Sequence, residues 1–198
     1  ADVARLAEAA HTTTGAVDLS GWKLERAKSS WGAVHTFAPG TSLAAGARLL
    51  IGESRVTGAQ VSVADGTLDL GNAGSNADGV RLVDAGGGVR DVVIYGTPNS
   101  DNLADDSGAA ATSLAPKPSS DKSLARTPDG ADTDRSGDDF RSASPATPGA
   151  SNGGGAGPDP DPVTCAPLTG RVVINELLPD PDGADSTALA VWVELFNG

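Results

Sequence analysis

The chain has 198 residues, enough for one ordinary domain with some extra and too few for two large ones. Hydrophobic residues make up 38%, much of it alanine, and aromatics only 4%, so a core must rest on Val, Leu, Ile and three Trp. That supply suits a thin two-layer sandwich, and a net charge of −12 repels phosphate backbones and argues against nucleic acid as a partner.

Residues 1–12, ADVARLAEAAHT, place Val3, Leu6, Ala7 and Ala10 at helical spacing and read as a short helix or N-terminal arm. From Ala16 the pattern changes to short runs between turns. These are AVDL, WKLER at 22–26, VHTF at 34–37, ARLLIG at 47–52, LDLG at 68–71, VRLVD at 80–84 and VRDVVIY at 89–95. Runs of this length at this spacing predict an all-β sandwich or barrel. Gly71 to Gly74 and Gly86 to Gly88 are expected to turn hairpins. In VRDVVIY, Val89, Asp91, Val93 and Tyr95 share one face, Val92 and Ile94 the other, which predicts a central buried strand.

Residues 97–122 are polar, with alanine filler and three prolines, and read as a long, mobile surface insertion. Order is expected to resume at 123–152. Residues 153–170, rich in Gly and Pro, read as a linker that is flexible at its glycines and extended at its prolines. Residues 171–198 contain two further β runs, RVVINELL and WVELFN.

Taken in order, VDLSGWKL, LDLGNAG with VRLVD, VRDVVIYG, SLARTPDGADTDRSGDDF, SPATPGASN, VVINELLPDPDG and WVELFN resemble the lamin tail domain. The resemblance implies an immunoglobulin-like sandwich, of a kind found at the ends of nuclear lamins and in many bacterial exported proteins. Members of that family open with the INE and WVEL runs before reaching DLSGW. Here 1–12 stand in that place, so 13–152 read as one copy lacking its first two strands, and 171–198 as the first two strands of a second copy. The predicted architecture is thus an immunoglobulin-like β-sandwich with a long surface insertion and a C-terminal two-strand segment. Contour length lets that segment dock on 13–152 in cis, while in a tandem array it would begin the next repeat. The chain contains no Met, even at position 1, which reads as an internal, fragment-like segment of a longer polypeptide.

Few residues point to chemistry. Trp22, Trp192, Phe37, Phe140 and Phe196 read as core, whereas Trp31, in the SSWG turn, is the residue expected to contact a ligand such as a surface glycan. Asp132, Asp134, Ser136 and Asp138 space oxygen ligands like the first half of a calcium loop, with Gly137 for the turn. Ala143 stands where the bidentate Glu is expected, so calcium is at most a weak ligand there. The two histidines, His11 and His35, sit in no catalytic motif, and no nucleophile is paired with a base. Cys165 has no partner for a disulfide within the chain. No apolar run is long enough to span a membrane.

The residues point to a non-catalytic structural or accessory module; the resemblance implies that its parent is a larger exported bacterial protein, of the kind in which such domains accompany hydrolases. It would lie outside the cell or on its surface, with neighbouring domains of the same polypeptide as partners. The alternative is a binding module for surface glycan or a calcium-dependent protein.

Overall fold

The computed structural model describes residues 15–152, 171–180 and 190–198. The arm at 1–12, the linker at 153–170, His11 and Cys165 lie outside them. The described residues form an immunoglobulin-like β-sandwich. Its strands are β1 (Val17–Asp18), β2 (Lys23–Ala27), β3 (Trp31–Thr36), β4 (Ser42–Leu43), β5 (Arg48–Glu53), β6 (Val61–Val63), β7 (Asp78–Val83), β8 (Val89–Tyr95), β9 (Ser123–Arg126), β10 (Phe140–Ala143), β11 (Val172–Leu178) and β12 (Trp192–Asn197). One helical turn, α1 (Ser136–Asp139), precedes β10.

One layer has the order β3-β2-β7-β8 and the other β10-β9-β11-β12-β5-β6, while β1 and β4 pair at one margin. Alternation along each strand sends one set of side chains between the layers. Leu24, Val80, Leu82, Val93 and Tyr95 from the first layer meet Leu49, Ile51, Leu124 and Phe140 from the second. Trp192 is buried on the second layer's outer face with Leu50 and Leu178.

The interior of the larger sheet is made by the two C-terminal strands. β11 pairs antiparallel with β9 on one side and β12 on the other, and β12 pairs antiparallel with β5. Their core face supplies Val172, Ile174, Leu177, Val193 and Leu195. Burial of such side chains is worth about 1.5–3 kcal/mol each, so the gross contribution is on the order of 10 kcal/mol. That is comparable with the entire net stability of an ordinary domain.

Three sequence expectations need correction. LDLG forms no strand: Leu68 and Leu70 are buried, but Asp69 between them takes φ 41°, which interrupts any extended run. β6, parallel to β5, occupies that stretch of chain earlier than expected. β8 is the last strand of its sheet, not a central one. Its outer face is buried because the 97–122 segment folds over it. Leu103 and Ala111 pack with Val92 and Ile94, Ala115 bridges to Tyr95, and the Asn99 side chain bonds the backbone of Leu103 and Ala111. The insertion is thus a fitted cover whose alanines serve close packing.

Candidate functional site

The largest concentration of charged groups lies inside the sandwich, where β8, β9 and β11 approach one another. Asp91, in the middle of β8, faces the core with 0% exposure; Arg126, the last residue of β9, is equally buried. Arg126 Nη2 donates to both oxygens of Asp91 at 2.9 Å, and Asp91 Oδ2 also accepts the backbone N–H of Ile174 at 2.6 Å. One carboxylate thereby ties the smaller sheet to β9 and β11 of the larger one.

The remaining donors of Arg126 are engaged as well. Nε donates to the Ile174 carbonyl at 2.9 Å, while Nη1 donates to the Ala131 carbonyl, Asp132 Oδ1 and Asp139 Oδ2. The guanidinium carbon lies 4.6 Å from the centroid of the Phe140 ring. Asp139 also accepts the N–H and hydroxyl of Thr133, which closes the TPDGADTDRSGDD segment on itself. Burial works against the Arg126 charge, but Asp91, Asp132 and Asp139 outweigh it and push its pKa up. Burial raises Asp91, against the opposing pull of Arg126.

At the rim of this knot Asp91, Asp106 and Asp132 bring carboxylate oxygens within 4.8 Å of one another. The place of a cation between them is contested by a second guanidinium. Arg171 Nη2 lies 2.7 Å from Asp132 Oδ2, 3.5 Å from Asp134 Oδ1 and 4.0 Å from Asp106 Oδ2. The Asp132 contact is a charge contact without an aligned hydrogen bond. Asp106 is pushed up to about 8, first by burial and then by Asp91, Asp134 and Asp132. At neutral pH its carboxyl keeps a proton, and the cluster carries one negative charge fewer than its acid count suggests.

The four residues of the expected calcium loop are not brought together. Asp132 is held between Arg126 and Arg171, Asp134 faces Arg171, Ser136 Oγ accepts the backbone N–H of Ile94, and Asp138 pairs with Arg135. Asp132 and Asp134 share Arg171, while Ser136 and Asp138 serve other neighbours. Trp31 opens β3 and is half-buried, where the sequence placed it in a turn. Its ring lies on Gly79, where a Cβ would come within 2.8 Å of it, and the Arg81 guanidinium stands 4.5 Å from the ring centroid. Trp22 is partly buried against the core, and His35 meets Phe37 edge-on at 4.8 Å.

A second polar layer, unnoticed in the sequence, covers the outer face of β11 and β12. Glu176 accepts from Ser123 Oγ, Thr147 N and Thr147 Oγ1. Glu194 accepts from Gly149 N at 2.6 Å and from Asn175 Nδ2 at 3.0 Å. Asn175 Nδ2 also donates to Asp129, whose other partners are Arg48, Ser151 and the Asn152 backbone. Asn152 Nδ2 returns to the carbonyls of Arg126 and Asn175. The SPATPGASN segment is therefore a strap laid across the two strands, and the acids of INE and WVEL are what it grips. The signal for this was the conjunction of acidic residues inside otherwise apolar strands with a Thr/Gly/Ser/Asn-rich segment able to donate to them.

The model of the lamin tail domain family matches residues 8–97, a span that includes β1 to β8. Over that span the chain is similar to the lamin tail domain. No curated protein and no solved structure matches it. Arg126 and the strap lie beyond the matched span, and Arg126 joins it to the rest of the chain through Asp91 of β8.

Two outcomes follow. Arg126→Met should cost about 3–5 kcal/mol in urea unfolding, because it leaves Asp91 and Asp139 buried without their cation. Combined with Asp91→Leu it should cost less than the sum of the two single changes; strict additivity would show that the pair is not coupled. The second concerns pH. Folded Asp106 holds its proton to about 8, whereas the unfolded carboxyl releases it near 3.8, so the folded state binds more protons between those values. The stability tied to that proton is complete below the lower value and is lost as pH rises through the upper one. Asp106→Asn should gain on the parent steadily across this window and level off above it. A gap between the two urea midpoints that does not change with pH would contradict the assignment.

Proposed function

We propose that the chain is a structural or accessory module of a larger exported bacterial protein, acting in adhesion, spacing or targeting outside the cell or on its surface. The match to the lamin tail domain is the coarse support, since it suggests a non-catalytic immunoglobulin-like module. The observation that carries the reading further is where the chain spends its charged groups. Arg126, Asp91, Asp139, Glu176, Glu194 and Asn175 are all buried, and all are bonded to one another or to backbone. Groups so consumed build a rigid body and have no free valence for a substrate. An acidic surface with a net charge of −12 keeps such a body soluble and disfavours polyanions as partners. The hydrolytic activity belongs, in this reading, to neighbouring domains of the same polypeptide. Among the described residues no helix is long and apolar enough to cross a membrane.

The alternative, a module for surface glycan or a calcium-dependent partner, finds less support. A stacking platform needs an open indole face, and the Trp31 ring has the Arg81 guanidinium 4.5 Å from its centroid and its edge against Gly79. Calcium would have to displace Arg171 from Asp132. A glycan array probed with the purified chain separates the two readings. The structural reading expects signal no higher than for a Trp31→Ala variant, whereas saturable binding abolished by that substitution would replace it with the glycan-binding one.

A further inference from the structure

The two strands at the centre of the larger sheet are also the ones whose connection to it constrains them least. Asn152, the last described residue before the linker, donates to the Asn175 carbonyl, so it lies beside the middle of β11. Arg171, where the linker ends, is four residues earlier, which at about 3.3 Å per residue is roughly 13 Å away. Between Asn152 and Arg171 the chain has 18 residues, 153–170, with a contour of about 60 Å. The covalent path is several times longer than the distance it must bridge.

Everything else that places the strand pair is non-covalent and carried by the 15–152 body. β9 and β5 offer two ladder edges facing each other across the gap. Asp91 and Arg126 grip the Ile174 peptide from below, the strap of Thr147, Gly149 and Asn152 grips Glu176, Glu194 and Asn175 from above, and Leu43 O receives Asn197 Nδ2 at 2.8 Å. This is a groove specific for a strand pair that carries buried acids at set positions. Register is fixed by those acids as well as by the apolar face.

We propose that this groove is a docking site for the same strand pair from a second copy of the chain, so that 171–198 is an exchangeable donor linking one molecule to the next. The contacts are identical whether the donor arrives in cis or in trans. The choice is set by effective concentration, on the order of millimolar for a short tether. Dilute chains close on themselves, and crowded ones or those with a shortened tether exchange. Because donor and groove are different surfaces, exchange is head-to-tail, and it closes as a reciprocal dimer or runs on as an open chain. The inference stands apart from the reading of the module as structural: it concerns how copies join, whatever the assembly does.

The test uses full chains. Deleting 153–170 brings Asn152 and Arg171 to about 3.8 Å between Cα atoms, too close for the intramolecular placement. Light scattering of the eluted protein should then give at least twice the mass of one chain, with the parent's circular dichroism, while the parent stays monomeric when dilute. A second arm holds if that variant fails to fold. One chain carries Ile174→Asp and Leu195→Asp in the donor; another carries Leu24→Asp and Val80→Asp in the body. Refolded separately, both should remain unfolded, and refolded together they should form a one-to-one complex with a cooperative melt. A folded monomer from the deletion, or a mixture that behaves as the sum of two unfolded chains, overturns the proposal.

Discussion

The bidentate contact between Asp91 and Arg126 is the constraint on which the rest of the sandwich depends. Removing two charges from water costs several kcal/mol each, and their attraction repays this only with good geometry and with every remaining donor satisfied. Both conditions hold. Arg126 reaches Asp91, Asp132, Asp139 and the carbonyls of Ala131 and Ile174, while Asp91 also takes the Ile174 amide. Such a pair adds less to stability than an apolar filling of the same volume could. Its effect is to reject arrangements: any packing that fails to bring β8, β9, β11 and the 131–139 segment together strands a charge in the core.

That explains why the C-terminal strands can be distant in sequence and still be integral. A sheet of β10-β9 facing β5-β6 would leave two open edges and an uncovered apolar layer. β11 and β12 fill that space, and the polar strap then seals their outer face. The apolar side of the pair supplies the driving force, and the acids on the other side supply the register. Gly130, with φ +70°, shows how tightly the turn after β9 fits against β12, since a Cβ there would come within 2.9 Å of the Phe196 ring.

Much of this was legible in the sequence, for reasons that differ by element. Alternation gave the runs that became β2, β5, β7, β8, β11 and β12, and it put Asp91 on the same face as Val93 and Tyr95. The partner of Asp91 was not legible, because Arg126 lies 35 residues away and no local period encodes which arginine will meet it. LDLG looked like a strand, but Asp69 turns out of line to pair with Arg26 and Lys28. The alanines of 97–122 looked like filler, whereas Asn99 bends that segment onto β8. Trp31 looked exposed because nothing near it in sequence covers it; its covers are Gly79 and Arg81, two strands away. The calcium-like spacing of Asp132 to Asp138 was a true regularity of the chain, and the fold uses it for ion pairs with three different arginines.

The central claim is that β11 belongs to the same cooperative unit as the ten strands of the front body. Native-state hydrogen exchange at the Ile174 amide, which donates to Asp91 and sits wholly inside, reads this most directly. The account predicts that this amide exchanges only through global unfolding, with the same protection free energy and denaturant dependence as Val80 and Val93 in the opposite sheet. Exchange of Ile174 through a separate, lower-energy opening while Val80 and Val93 stay protected would contradict it.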